Sequence, residues 1–437
     1  MVARFGWLSP AAPGVFLLSK IESVILLFLQ FSKVASTKME FQRRLQLLEL
    51  VRKKSYFLFG PRGTGKSYLI RRTFPERAVV INLLRTTVQL RLGRNPSELE
   101  ELIDEASAGN PRLVVIDEIQ KLPILLDEVH RLIEERQITF LLTGSSARSL
   151  KKSGVNLLAG RAWIAELFPL TFAEIPAFHL DRFLRFGGLP AVVLSEDPDE
   201  ELDAYVQTYL NEEIKAESLV RKVPAFVEFL RFTALSNGQI VHYARLANDA
   251  GVSPPTIASY FQILEDTMIG FQVPSWKKPT SRKPIASSKF YLFDTGVANA
   301  LAGTRSVDRN SNLFGTLFEQ WIAMELRAYL SYSRIKDRLM FWRTEDGVEV
   351  DFIVDGQIAV EVKASQKVSE ADLKSLRILQ AESRGRKDPL VGDYYLISND
   401  PLDRTKDGVH LLHWKTFMQR LWAGDIFQNP RGPTSLQ

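Results

Sequence analysis

The chain has no cysteine, so disulfides and thiolate metal sites are excluded. Histidine is scarce as well. His130, His179, His242, His410 and His413 are scattered, and the closest pair has no acidic ligand motif around it, which argues against zinc. Any metal is therefore expected on oxygen donors. A long uncharged apolar run is also missing: Val15 to Phe31 is rich in Leu, Ile, Val and Phe but is interrupted by Lys20 and Glu22. That falls short of the roughly 18 residues a spanning helix needs, so no stable membrane partner is expected. Neither charge sign dominates, since 56 Lys and Arg face 51 Asp and Glu for a net charge of +5. With 45% hydrophobic and 24% charged residues the composition is that of an ordinary globular chain, and 437 residues leave room for about three domains at roughly 100–200 residues each.

What is present is sharply localised. Residues 60 to 67 read GPRGTGKS, behind the apolar run Tyr56-Phe57-Leu58-Phe59 and ahead of a helical pattern opening at Tyr68-Leu69-Ile70. The spacing of Gly60, Gly65, Lys66 and Ser67 meets every fixed position of a phosphate-binding P-loop. Glycines let the backbone turn sharply and aim its N–H groups at phosphate oxygens beside a helix N-terminus. Gly60, Pro61, Arg62, Gly63, Thr64, Gly65, Lys66, Ser67 and Tyr68 are thus the expected ATP contacts, with Lys66 reaching the β and γ phosphates and Ser67 holding Mg²⁺.

A second motif bears on hydrolysis. PRLVVIDEIQ, residues 111 to 120, reads as a buried parallel strand with acids at its tip. Asp117 is the expected holder of the Mg²⁺ hydration shell and Glu118 the group that polarises the attacking water; an acidic helix cap is the plain alternative. A third apolar strand, Ile138 to Leu142, ends in Thr143, a candidate sensor of the γ-phosphate. Arg148 and Arg161 follow. Arg161, in LLAGRAW, is the preferred finger reaching a neighbouring copy in a homo-oligomer such as a ring, against a plain salt-bridging role.

Residues 1 to 38 do not resemble the rest. They allow three readings: a functional chain that starts at Met39, a helix that touches a membrane or partner, and a signal peptide with Arg4 as its basic start. The ATP-dependent machinery argues against export and for a cytoplasmic protein. After the break at Gly187-Gly188-Leu189-Pro190, helical spacing runs over 202–214 and 225–235, then over 239–250; Gly251 to Pro255 reads as a turn and 256–264 as another helix. That pattern suggests a helix-turn-helix, winged by the basic segment Trp276, Lys277, Lys278, Arg282 and Lys283. Its second helix, TIASYFQIL, has no Lys or Arg, which leaves DNA contact and an interface role both open.

Near the C-terminus, VEVDFIV and IAVEVK flank Asp355-Gly356-Gln357 and read as a hairpin. Asp351, Glu361 and Lys363 are the layout that metal-dependent phosphodiester cleavage uses: carboxylates for Mg²⁺ or Mn²⁺ and a lysine for the water or developing charge. Glu319 in LFEQWIAMEL is a further carboxylate. A strict two-residue turn would set Asp351 opposite Val360, on the other face from Glu361. A three-residue connection or a bulge would align the two acids. A charged edge hairpin is the alternative reading.

Taken together, FLFGPRGTGKS, RLVVIDEIQKLP, FLLTGSSAR, LAGRAW, FGGLPAVV, YLFDTGVANAL, LFEQWIAMEL, FWRTEDGVEVDFIV and AVEVKA resemble the AAA-type ATPases of bacteria and archaea whose C-terminal part is a shared domain similar to PD-(D/E)xK nucleases. The resemblance spans about residues 39 to 365. It implies an α/β chain with an AAA-like parallel sheet over 39–180, a helical lid and winged-helix region over 181–284, and a restriction-endonuclease-like α/β domain over 285–437. Glu319, Asp351, Glu361 and Lys363 match the nuclease motif, although Val350 stands where that motif has proline. The expected function is an ATPase whose cycle controls a DNA-binding domain, either cleaving DNA with a second Mg²⁺ or Mn²⁺ or acting without cleavage as a regulator or scaffold.

Overall fold

Five short apolar strands of the N-terminal half, β1 (Ser55–Phe59), β2 (Val79–Asn82), β3 (Leu113–Asp117), β4 (Thr139–Gly144) and β5 (Ala162–Glu166), form a sheet of order β2-β3-β4-β1-β5 in the computed structural model. All its pairings are parallel. β1 and β3 are buried at every position, as strands covered on both faces must be. The strand β4 separates β3 from β1, so the tips of β1, β3 and β4 end side by side at one edge of the sheet. Helices α1 (Leu47–Val51), α2 (Lys66–Thr73), α3 (Thr86–Arg94), α4 (Glu98–Ala106) and α5 (Leu125–Arg136) accompany this sheet. The structure describes residues 40–75, 78–107, 111–146, 148, 150, 158, 160–216, 223–277, 287–354, 356–383 and 390–427. They fall into two units, 1–42 and 43–437; the first contributes only residues 40–42, and all that follows concerns the second. The segment 1–38 and the basic residues Lys278, Arg282 and Lys283 lie outside the described residues.

The middle of the chain is helical, with α6 (Leu180–Phe186), α7 (Pro190–Leu194), α8 (Pro198–Ala216), α9 (Val223–Leu235), α10 (Tyr243–Ala250) and α11 (Pro254–Asp266). An antiparallel pair follows, β6 (Gly270–Pro274) with β7 (Ser288–Leu292), and then α12 (Thr295–Ala302). Two expectations shift here. Residues 239 to 242 are not helical: Ile240 bridges to Lys289 and the Val241 amide donates to the Ser288 carbonyl, so this segment adds to the β7 edge. Pro254 and Pro255 open α11 instead of lying in the preceding turn, because proline suits the first helical turn, where its missing N–H costs nothing. The strands β6 and β7 lie on opposite sides of the expected boundary at residue 284 and pair directly. Trp276, placed in the wing by sequence, is buried with Trp342 and Val350.

The C-terminal part begins with the long helix α13 (Asn312–Tyr332). Strands β8 (Leu339–Arg343), β9 (Glu349–Val354) and β10 (Ile358–Lys363) follow, then α14 (Lys374–Ser383), β11 (Asp393–Ser398), β12 (Arg404–Lys406), β13 (Val409–His413) and α15 (Trp414–Ala423). The sheet order is β12-β13-β11-β10-β9-β8. β8, β9 and β10 run antiparallel, and β10 passes through α14 to pair in parallel with β11, the crossover such a connection requires. Trp321 of α13 shares one core with Phe183 of α6, Phe271 of β6, Tyr291 of β7 and Phe352 of β9. The middle and C-terminal regions are therefore packed around common apolar side chains, which gives them little freedom to move apart.

Candidate functional site

At the first centre, β1 delivers the chain into the P-loop. A Cβ on Gly60 would lie 2.4 Å from the Leu167 carbonyl oxygen, so only glycine permits this approach, and Gly65 enters α2 with φ of +89°. Lys66 is buried, and its Nζ donates to the carbonyls of Gly60 at 2.6 Å and Pro61 at 3.1 Å. Ser67 Oγ donates to Asp117 Oδ2 at 2.9 Å. Thr143, fully buried on β4, donates to Asp117 Oδ1 and accepts the Glu118 amide at 3.2 Å. It is thus committed to orienting both acids of the adjacent strand tip. Glu118 has a left-handed backbone, φ of +64°, uncommon for a residue with a side chain and a kind of strain that gathers at functional positions. Its carboxylate accepts from Gln120 Nε2, which also reaches Ser145 Oγ at 3.3 Å. Gln120 was missed in the sequence reading, although it stands in the same IDEIQ run.

Neutral hydroxyls and a carboxylate in hydrogen-bond contact form an all-oxygen donor set, which suits Mg²⁺. Ser67 and Asp117 fit that ion. Of the two arginines, Arg148 pairs with Asp266 at the end of α11 at 2.9 Å, tying the segment after β4 to the middle region. Arg161 pairs with Glu134 of α5, and both side chains are partly exposed.

Two further groups hold the P-loop from behind. Arg43 is buried and donates to the Thr64 carbonyl at 3.0 Å, to Glu174 at 3.1 Å and to Tyr332, the last residue of α13, at 3.2 Å. Burial opposes the Arg43 charge, but Tyr332 and Glu174 outweigh it and raise its pKa further. On the other side, Leu189 and Tyr205 come within van der Waals distance of where a Cβ on Gly63 would lie. The turn before Leu189 is held by Asp294, the cap of α12, which accepts the Gly188 amide at 2.7 Å and the Val297 amide at 3.0 Å. A Cβ on Gly187 would lie 2.0 Å from Asp294 Oδ1, so the FGGLP and FDTG sequences are two halves of one contact. Burial raises Asp294 to about 6, against the pull of those amides.

The second centre lies in the C-terminal sheet. Val354 pairs with Ile358 and Phe352 with Val360, leaving the three-residue connection 355–357. Continuing that register sets Asp351 opposite Glu361 on one face, the alignment that the cleaving reading requires. Asp351 Oδ2 accepts the Val362 amide at 2.8 Å and Lys363 Nζ donates to Glu361 Oε1 at 2.6 Å. Burial and the neighbouring Glu319 raise Asp351 to about 7, while Lys289 and Lys363 pull it down. Burial and Asp351 push Glu361 well above the usual carboxylate range.

A further side chain stands among the carboxylates expected to hold a metal. Lys289, delivered by β7 and buried, sits with Nζ 2.9 Å from Glu319 Oε1, 2.6 Å from Glu349 Oε1 and 3.8 Å from Asp351 Oδ1. Tyr291, two residues along the same strand, donates to Glu319 at 2.6 Å. Among the described residues no group of three or more His, Asp or Glu is arranged to hold a metal ion. Of the residues expected to hold a second Mg²⁺ or Mn²⁺, Glu319 and Asp351 thus have the Lys289 ammonium beside them, and Glu361 is paired with Lys363. Lys289 and Glu349 were not singled out from sequence. The signal was there, since a lysine and a tyrosine at two-residue spacing in an apolar strand must share one face.

Comparisons with known proteins divide the chain in three. Residues 52–176 match the family model described as AAA domain. Residues 177–308 and 314–417 match two models described as Domain of unknown function (DUF8612 and DUF4143). An uncharacterized protein of Mycobacterium tuberculosis is 29% identical over 311 residues, 68% of this chain and 67% of the relative. One from the archaeon Methanocaldococcus jannaschii is 24% identical over 400 residues, 84% of this chain and 86% of that one. Domain III of the Thermotoga maritima replication initiation protein DnaA aligns with 50% of this chain and 88% of its own at 14% identity, with a TM-score of 0.23, too low to bear on the fold. The first segment is thus an ATP-binding AAA-type domain with relatives in bacteria and archaea, and it holds the P-loop. Among the described residues no helix is long and apolar enough to cross a membrane.

Proposed function

We propose that the chain is a Mg²⁺-dependent ATPase whose nucleotide cycle controls the regions that follow it, which bind DNA through the middle region and carry a nuclease-like C-terminal domain. The observation that carries the ATPase reading is the hydrogen-bonded set Ser67, Asp117 and Thr143 at the P-loop, with Glu118 held beside it. The P-loop amides and Lys66 bind and orient the phosphates, for which Lys66 leaves its carbonyl partners. Ser67 and Asp117 would hold Mg²⁺, which would supply charge neutralisation for the phosphates. Glu118, aimed by Gln120, accepts the proton of the attacking water, and Thr143 keeps both acids in register. Lys66→Ala should weaken binding and lower turnover, and Glu118→Gln should abolish turnover while sparing binding; full turnover by Glu118→Gln would sink the assignment. A ring or other homo-oligomer would free Arg161 from Glu134 to reach the neighbour's γ-phosphate. Arg161→Ala should then lose hydrolysis and keep ATP binding, and unchanged turnover would remove that role.

Control of the C-terminal part is supported by the contacts of Arg43 with Tyr332 and of Asp294 with the turn beside the P-loop. DNA binding is supported by the net positive charge and by the pair α10 and α11 followed by the β6–β7 hairpin. The exposed positions of α11 carry no basic residue, so the contact is assigned to Lys277 with Lys278, Arg282 and Lys283. Changing all four should weaken DNA binding and flatten its salt dependence; no change in either would favour an interface role. A need for ATP supports a cytoplasmic location for this activity. The alignment of Asp351, Glu361 and Lys363 supports cleavage, whereas Lys289 favours binding without cleavage. We adopt the second for the arrangement described here.

A further inference from the structure

We infer that Lys289 is the resident cation of the Glu319, Glu349 and Asp351 cluster, so that the C-terminal site is locked by the chain's own ammonium against divalent metal. The inference deepens the reading of this domain as one that does not cleave. Three carboxylates from two elements, α13 and β9, converge on Nζ. A lysine merely passing through a core would snorkel toward water, but this one is 95% shielded along its side chain and ends among acids. Its neighbours complete the lock. Tyr291 bonds the same oxygen of Glu319 that Lys289 holds, and Arg343 takes the other oxygen of Glu349 at 2.8 Å. The Val362 amide takes Asp351 Oδ2. Each carboxylate therefore has at least one oxygen committed to a protein donor, and the point where they converge already holds one positive charge.

The backbone fixes this placement. β7 is bonded on one side to β6 and on the other through Ile240, and Lys289 lies 5.5 Å from the centre of the Phe341 ring on β8. Moving the ammonium out would leave three close carboxylates without their shared cation. A divalent ion, the natural replacement for a cation among oxygens, would then bind. Lys289→Met retains the unbranched shape without the charge, and Lys289→Arg retains the charge.

The test is Mn²⁺ titration without nucleotide, followed by the electron paramagnetic resonance of free Mn²⁺, on the full chain and its Asp351→Asn, Lys289→Met and Lys289→Met/Asp351→Asn variants. The expected result is equal Mn²⁺ binding by the parent and Asp351→Asn, with one added Mn²⁺ per chain in Lys289→Met that disappears in the double variant. Lys289→Arg should behave as the parent. Binding by the parent that Asp351→Asn removes would overturn the lock, and so would a folded Lys289→Met that gains none. If Lys289→Met does not fold, parent against Asp351→Asn still decides. Nucleotide is absent throughout, so failure here leaves the ATPase reading standing, and failure of that reading appears instead as unchanged turnover in Glu118→Gln.

Discussion

The two centres use similar ingredients in opposite ways. Each gathers acids beside a lysine, yet Asp117 is bonded by the hydroxyls of Ser67 and Thr143 while Asp351 lies beside the ammonium of Lys289. Neutral donors orient a carboxylate and leave its charge for an incoming cation. An ammonium at the focus of three carboxylates compensates that charge permanently, at a large desolvation cost that only close pairing can offset. Carboxylates on one face of a sheet are therefore insufficient grounds for a metal site; what the neighbouring element inserts between them decides.

The contrast can be broken most severely at the first centre. Lys66→Ala should lower ATP turnover by about two to three orders of magnitude, the usual cost of removing one charged stabiliser of a transition state, and leave Mn²⁺ binding without nucleotide unchanged. A steady-state phosphate-release assay reads the first part. At the second centre, Lys289→Met should destabilise the fold by about 3–5 kcal/mol, the cost of leaving buried charge unpaired. Saturating Mn²⁺ should restore part of that loss in thermal denaturation, and no Mn²⁺ response would show that the cluster has no use for a cation. Arg43→Ala should cost a similar 3–5 kcal/mol and reduce turnover as well, because it releases the Thr64 carbonyl; a stability loss with turnover intact would separate the packing from the P-loop.

A smaller effect tests the contact beside the P-loop. Burial lifts the Asp294 pKa from 3.8 unfolded to about 6 folded, so its contribution to stability is full below pH 3.8 and is lost as pH rises through 6. Over that window the stability of the parent relative to Asp294→Asn should fall by up to about 3 kcal/mol, at 1.36 kcal/mol for each pKa unit. A pH-independent difference in urea denaturation would contradict this. Smallest of all, deleting residues 1–38 should leave ATPase activity intact; a collapse of folding would defeat the reading that the functional chain begins at Met39.

The P-loop side was legible because its geometry is local. Gly60 to Ser67 turn within a few residues, and the strand periods ending at Asp117 and Thr143 fix which side chains reach the sheet edge. The hairpin was legible up to its loop, since residue counting alone separated the two registers of Asp351. What the sequence reading missed depends on contacts distant in the chain. Lys289 reaches acids 30 to 62 residues away in sequence, Arg43 spans 289 residues to Tyr332, and Asp294 meets Gly188 across 106. Propensity and periodicity act over one element and carry no information about which elements meet. The helix expected at 239–250 starts only at Tyr243 for the same reason, because pairing with β7 draws the preceding residues into an extended edge.

Incubating the protein with Mg²⁺ or Mn²⁺, ATP and supercoiled DNA, and measuring phosphate release and nicking in one sample, reads both a hydrolysing P-loop and a C-terminal centre that does not cut. Parent protein should release phosphate, lose that activity in Glu118→Gln, and leave the DNA intact. Metal-dependent nicking by the parent that disappears in Lys363→Ala would show instead that the C-terminal centre cuts.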